Sequence, residues 1–234
     1  MKLKDATVFI TGANRGLGLA FARHALASGA RKVYGAARDP ASISLPGVVP
    51  VALDVTKPSQ AAAAAADCGD VTLVVNNAGI ADFGGVLAED AIASMARMME
   101  TNVYGLLRVS GAFAPLLKAN GGGALLNVLS VASWLSAPAL AAYAVSKAAA
   151  WSATNGLRNE LRAQGTQVLG LHVGFIDTDL TRGIDAPKLA PDFVAAQAFE
   201  ALERGASEVA VGELTQQIKR GLSNEPGIYI DFAR

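Results

Sequence analysis

The chain has 234 residues, 52% of them hydrophobic and 17% charged, with 20 basic side chains balancing 20 acidic ones. A chain this long buries about 70% of the surface its unfolded form exposes, so folding requires neither disulfide nor metal. With no basic excess to neutralise phosphates, nucleic acid is excluded as a main partner.

Val8–Thr11 reads as a first strand, too short for a signal-peptide core. A helix follows over Leu17–Ser28 and is stopped by Gly29. Lys32–Ala36 and Val49–Leu53 read as the second and third strands. Ser59–Ala66 is a short alanine-rich helix that Ser59 can cap. Cys68, the single cysteine, is a small filler near a turn, and its lack of a partner fits a reducing cytoplasm. Val71–Val75 is a fourth strand, and Glu89–Lys118 carries one or two helices. From Ala119 to Ser146 no side chain is charged, but Gly121–Gly123, Asn127 and Pro138 argue against a membrane span. That stretch reads instead as a turn, a fifth strand at Ala124–Leu129, a loop and the start of a helix over Ala141–Gln164. Gln167–Val173 is a sixth strand, Val194–Arg204 a helix and Glu208–Val211 a short seventh strand.

Short β-branched runs alternating with helical runs predict a doubly wound parallel α/β sheet of about seven strands, a Rossmann fold with helices on both faces. No linker or repeat divides the chain, so one dinucleotide-binding and catalytic domain over residues 1–234 is expected. Residues 177–191 form a long connection without a clear element, the kind of segment that serves as a lid.

Thr11-Gly12-Ala13-Asn14-Arg15-Gly16-Leu17-Gly18 leaves the first strand and opens the first helix. Gly12 permits a sharp turn, Gly16 lets backbone approach a pyrophosphate, and Gly18 lets the helix pack close to the sheet. Free N–H groups at the helix start then face the phosphates. An acidic residue after the second strand selects NAD by gripping the ribose 2′-hydroxyl; Arg there favours NADP. Arg38 stands at that place and Arg15 can reach the same 2′-phosphate, so NADP(H) is favoured. Asp39, one residue later, suits NAD under a shifted alignment.

Tyr143 and Lys147 lie one helical turn apart on one face. Bringing a phenol from its usual range to about 7 takes roughly 4 kcal/mol, and a nearby ammonium is expected to lower its pKa. Ser130, at the end of the fifth strand, sits at the edge where parallel sheets bind ligands. Ser133 and Ser136, on the same loop, read as loop-capping residues. His24 and His172 are the only histidines and neither stands beside a carboxylate cluster, so no metal site is expected.

Together these residues resemble the short-chain dehydrogenase/reductase family from about Ala6 to Val211, and its NADP-dependent carbonyl-reductase-like members in particular. Four motifs stand in the family's order: Thr11-Gly12-x-x-x-Gly16-x-Gly18, Asn76-Asn77-Ala78-Gly79, Ser130, and Tyr143-x-x-x-Lys147. The resemblance implies a hydride transfer between nicotinamide and a ketone, aldehyde or secondary alcohol. It implies that Ser130 holds the oxygen, Tyr143 is general acid/base, Lys147 holds the ribose and tunes the tyrosine, and Asn102 links Lys147 to solvent through a water. It places Gly12, Asn14, Arg15, Gly16, Leu17, Gly18, Arg38, Asp54, Val55, Asn76, Ala78, Gly79, Gly174, Ile176 and Thr178 along the cofactor, beside Tyr143 and Lys147. Phe83, Trp134, Leu135, Phe175 and Leu180 are the expected substrate pocket, apolar and without a basic cluster; Arg182 and Lys188 read as solvated lid residues.

Two features depart from the family. Val173 replaces the usual proline after the sixth strand, which is expected to loosen that turn. The tail Glu225–Phe232 differs from the Gly-rich ending that often builds tetramers. A homodimer or homotetramer is expected, with a dimer through the helices at 102–118 and 141–164. Two other readings are weighed: an NADP-sensing regulator with little turnover, and an epimerase or dehydratase on a nucleotide sugar. The intact Ser130, Tyr143, Lys147 and Asn102 set disfavours the first. The short segment after the last strand disfavours the second.

Overall fold

The computed structural model describes residues 1–230. The elements run β1 (Thr7–Thr11), α1 (Gly16–Ala27), β2 (Lys32–Ala37), β3 (Val48–Ala52), α2 (Pro58–Asp67), β4 (Leu73–Asn76), α3 (Ala91–Met99), α4 (Leu106–Ala119), β5 (Ala124–Val128), α5 (Ala141–Glu160), β6 (Gln167–Val173), α6 (Pro191–Glu203), β7 (Glu208–Val211) and α7 (Glu213–Gly221). The seven strands form one parallel sheet in the order β3-β2-β1-β4-β5-β6-β7. This is the doubly wound α/β architecture expected from the alternation. The strand order reverses between β1 and β4, so a crevice opens at their carboxyl ends.

Both faces of the sheet are covered, which is why the strands are apolar throughout rather than alternating. Val8, Ile10, Leu73, Val75 and Leu171 face one way, into a core with Phe21 of α1 and Phe199 of α6. Those two rings meet at 5.1 Å between centroids. Phe9, Val74, Leu125 and Val168 face the other way, against Phe113 and Leu117 of α4. Phe9 and Phe113 lie 4.5 Å apart, pinning α4 across β1.

Several boundaries differ from the sequence reading. The fourth strand begins at Leu73, not Val71, and reaches Asn76. Ser59 does not cap α2; Pro58 occupies its first turn and Lys57 precedes it without a side-chain cap. α3 and α4 are joined by a π-helical stretch, Glu100–Gly105, that contains Asn102. A π-bulge inserts one extra residue per turn and is frequent at functional sites. Here it lets Gly105 approach Val55: a Cβ on Gly105 would sit 2.7 Å from the Val55 side chain. α7, unread in the sequence, follows β7. Val173, in register with Val211 and buried, extends the β6–β7 pairing to the end of the strand. A proline there could not donate to a ladder.

Candidate active site

A cavity of about 780 Å³ runs along the carboxyl edge of the sheet, from the glycine turn to α7. At one end the turn after β1 takes left-handed φ values, 66° at Gly12 and 54° at Gly16, which non-glycine residues rarely adopt. Gly18 does not line the cavity. A Cβ there would lie 2.0 Å from the Gly12 carbonyl oxygen, so Gly18 is a packing requirement that lets α1 start against the turn. Arg15 precedes α1 and no side chain caps the helix, so its first N–H groups are available to an anion.

Beneath the turn, the Asn76-Asn77-Ala78-Gly79 motif splits its duties. Asn76 turns away from the cavity and donates to Ser110 Oγ (3.0 Å) and Asn127 Oδ1 (2.8 Å). Asn127 passes the chain to Thr154 Oγ1 at 3.0 Å. This buried network ties α4, β4, β5 and α5 together, so Asn76 is a brace rather than the cofactor contact expected of it. Asn77, absent from the expected contacts, is the residue at the cavity wall. Its Nδ2 donates to the carbonyls of Thr11 (2.9 Å) and Gly12 (3.2 Å), fixing the turn. Ala78 and Gly79 line the cavity, together with Gly12, Asn14, Arg15, Gly16, Leu17, Arg38, Asp54, Val55, Gly174, Ile176 and Thr178.

The charged groups near the turn divide unequally. Asp39, proposed for NAD under a shifted alignment, lines the cavity, and its Oδ1 accepts from Ala41 N at 3.0 Å and caps a short 3₁₀ turn. Arg38 is exposed at the cavity edge with no ion-pair partner among the described residues. Arg15 pairs with Asp179 at 2.8 Å, linking the glycine turn to residues 177–191. Arg182, expected to be solvated, is exposed and pairs with the same Asp179. Burial works to raise the Asp54 pKa. Hydrogen bonds from Thr56 Oγ1 (2.7 Å) and Thr56 N (2.9 Å), with the charges of Lys57 and Arg38, outweigh it and hold the carboxyl below its usual range.

Further along, Ser130 lies just past β5 and opens a 3₁₀ turn over Val131–Ser133. Its Oγ accepts from Ala132 N at 3.1 Å, while Ser133 Oγ reaches back to Ser130 N. Ser133 is thus the capping residue expected, whereas Ser136 is exposed. Tyr143 and Lys147 enter the cavity from one face of α5. The spacing is as read, but the electrostatics are not. Burial pushes the Tyr143 phenol up to about 12, offset in part by a hydrogen bond with Ser130. The net shift is the reverse of the fall expected from Lys147. Its ammonium lies 5.7 Å from the phenol ring centroid and donates to the Val128 carbonyl at 2.9 Å. Burial brings Lys147 itself down to about 8.

Asn102 does not line the cavity. Its Oδ1 accepts from Ile80 N and its Nδ2 donates to Ile80 O, both at 2.9 Å, and to Ser146 Oγ at 3.0 Å. A Cβ placed on Gly79 would be 3.2 Å from Asn102 Oδ1 and 3.9 Å from Lys147 Nζ, so these groups gather at one spot.

The far end of the cavity is apolar, lined by Phe83, Leu135, Phe175 and Leu180, with Leu214 and Ile218 contributed by α7. Trp134 is not among them. It is buried behind the wall, stacked on His172 at 3.9 Å, because the 3₁₀ turn rotates it away from the cavity. Residues 177–191 are not featureless. A 3₁₀ turn spans Asp179–Thr181, and Leu189 N donates to Phe175 O while Asp177 N donates to Leu189 O, each at 2.9 Å, closing the base of the loop. The described part of the tail, through Ile230, packs Ile228 against Gly221; Asp231 and Phe232 lie outside the described residues. No helix among the described residues is long and apolar enough to cross a membrane.

The fold and this cavity are shared with known proteins. A crystal structure of a short chain dehydrogenase from Burkholderia cenocepacia J2315 in complex with NADP superposes with a TM-score of 0.95 at 37% identity, covering 100% of both chains. A short chain dehydrogenase/reductase from Burkholderia phymatum in complex with NAD gives 0.85 at 25% identity, over 94% of each. The short chain dehydrogenase pigC of Monascus ruber is 36% identical over 202 residues, 78% of this chain but 66% of pigC, so the match spans just under two thirds of that relative. The family model described as short chain dehydrogenase matches residues 6–188, and the chain belongs to the short-chain dehydrogenase/reductase family, whose members use a nicotinamide cofactor.

Proposed function

We propose that the chain is an NADP(H)-dependent oxidoreductase that reduces a small, largely apolar ketone or aldehyde, or oxidises the matching secondary alcohol. The observation that carries this reading is the single cavity joining an anion-ready glycine turn to Ser130, Tyr143 and Lys147. The left-handed glycines and the uncapped start of α1 fit a pyrophosphate, and a nicotinamide dinucleotide bound there supplies the hydride.

The chain's own groups do the rest. Ser130 Oγ accepts from Ala132 N, and its own proton, which hydrogen-bonds the Tyr143 oxygen here, can turn to hold the carbonyl oxygen. Tyr143, protonated at neutral pH, donates the proton to that oxygen as it gains charge. Lys147, held by the Val128 carbonyl, presents its ammonium beside the phenol ring and can bind the ribose hydroxyls. Asn102 orders Ile80 and Ser146 around Lys147, a position suited to relaying protons to solvent.

Unpaired Arg38 and the capping use of Asp39 support NADP over NAD. Arg15 joins the 2′-phosphate when it leaves Asp179. Residues 177–191 act as the lid over the nicotinamide end. The apolar lining of Phe83, Leu135, Phe175 and Leu180 supports an uncharged substrate. A homodimer through α4 and α5 is supported by exposed Tyr104, Leu107 and Val145, with open space over Gly111 and Gly156. The lone buried Cys68 suits a cytoplasmic enzyme.

The test is NADPH and NADH oxidation followed at 340 nm over a panel of ketones and aldehydes, with wild type and Tyr143→Phe. Turnover by the wild type that Tyr143→Phe lowers at least a hundredfold supports the reading. Turnover that survives the substitution overturns the assignment of Tyr143.

A further inference from the structure

Behind the Ser130 turn lies a buried polar cluster that the reaction as described does not use. His172, on β6, is completely buried. Trp134 stacks on its ring and Trp151 of α5 meets it edge-on, with centroids 6.2 Å apart. No carboxylate stands near His172 in sequence, but β6–β7 pairing brings Glu208 to it. His172 Nε2 lies 3.0 Å from Glu208 Oε1, and Nδ1 lies 3.1 Å from the Ser130 carbonyl oxygen. Trp151 Nε1 donates to the same carboxylate oxygen at 3.2 Å, and Lys219 of α7 pairs with the other.

A carbonyl can only accept, so the contact to Ser130 requires a proton on Nδ1. The Ser130 oxygen has two lone pairs. One takes the Ser133 N–H at 3.0 Å, within the 3₁₀ turn itself. The other takes His172, the contact that ties the turn to the sheet. Burial works against a second ring proton on His172, while the Glu208 carboxylate works for one. Glu208 Oε1 can also only accept, so on a ring that burial keeps neutral the two oxygens compete for one N–H, and the contact to Ser130 needs it on Nδ1.

We propose that His172 is a positioning residue for Ser130, holding the turn in place by donating Nδ1–H to the Ser130 carbonyl from a ring clamped by Trp134 and Glu208. The proposal rests on the reading of Ser130 as the residue that holds the substrate oxygen. Three successive residues are then tied to two elements, α5 and β6. Val128 O accepts from Lys147, Leu129 N donates to Leu171 O at 2.7 Å, and Ser130 O accepts from His172. A side chain misplaced by an ångström at a reacting centre costs up to about a hundredfold in rate, so a group far from substrate can matter through this one contact.

Asparagine and glutamine separate the two ring contacts. The amide nitrogen of Asn falls near the place of Nδ1, and that of Gln near Nε2. With a carbonyl that the wild type reduces, His172→Gln should lower kcat about tenfold while KM and the NADPH Kd, read by NADPH fluorescence, stay within about twofold. His172→Asn should keep kcat within about threefold of wild type. Equal losses in the two variants, or loss of NADPH affinity in step with kcat, would mark His172 as ordinary packing. The second readout needs no turnover. The chain has two histidines, so long-range ¹H–¹⁵N spectra of wild type and His24→Gln assign His172 directly. A protonated Nδ1 is expected, and a bare Nδ1 overturns the proposal even if the variants fail to fold. Should the wild type reduce no carbonyl, it is the functional reading that falls, and the spectrum still decides the proton on His172.

Discussion

Lys147 gives the sharpest test of how the site's electrostatics weigh on the fold. Burial brings its pKa from 10.5 to about 8, which corresponds to roughly 3 kcal/mol of folding free energy at neutral pH. Lys147→Met keeps the aliphatic stem and removes the charge. It also removes the charge-assisted hydrogen bond to the Val128 carbonyl, a loss of about 2 kcal/mol. The variant should therefore be more stable than wild type by about 1 kcal/mol at pH 7. The sign of the pH dependence follows from proton counts. Between pH 8 and 10.5 the unfolded chain keeps a lysine proton that the folded chain sheds, so wild-type stability rises with pH across that window. The gap should be flat below pH 8, close as pH rises, and reverse before pH 10.5, where only the lost hydrogen bond separates the two proteins. Tyr143, raised to about 12, opposes this above pH 10 but does so in both proteins and cancels in the difference. Urea unfolding of both proteins without cofactor, at pH 7, 8, 9 and 10, reads the effect. A variant less stable than wild type by an amount independent of pH would show that the ammonium is not desolvated as described.

Two further substitutions probe the cofactor end. Gly18→Ala would drive a methyl into the Gly12 carbonyl and Asn77 Nδ2, neither of which can retreat without moving the turn. It should cost at least about 2 kcal/mol in unfolding free energy and abolish NADPH binding; near-normal NADPH affinity would refute the packing argument. Arg38→Ala should raise the NADPH Kd about tenfold or more and leave NADH unchanged, since only the 2′-phosphate is lost to it. Equal weakening of both cofactors would place Arg38 elsewhere than the 2′-phosphate.

Local signals carried much of this account. Sheet topology follows from alternation and apolar strands. The glycine turn and the Tyr143–Lys147 face follow from spacing, because a helix fixes which residues share a side. What the sequence hides is set by geometry at longer range. Asn76 and Asn77 are adjacent and identical, and only the pleat of β4 and the point where it ends decide that one braces the interior while the other meets the cavity. Trp134 looks like a pocket residue until the 3₁₀ turn is seen to rotate it onto His172. Glu208 reaches His172 through strand register, which no local pattern encodes. Leu214 and Ile218 did carry a signal, one helical turn apart after the last strand, but α7 is short and polar enough to be passed over. The raised Tyr143 phenol depends on burial, which residue spacing cannot report.

The central claim is that this cavity moves a hydride directly onto a carbonyl carbon with Tyr143 supplying the proton. The most direct measurement uses NADPH deuterated at the nicotinamide C4 position that is transferred, with a carbonyl that the panel identifies and mass analysis of the alcohol. The account predicts one deuterium on the carbinol carbon from the wild type and no product above background from Tyr143→Phe. Unlabelled alcohol from the wild type, or labelled alcohol at the wild-type rate from Tyr143→Phe, would contradict it.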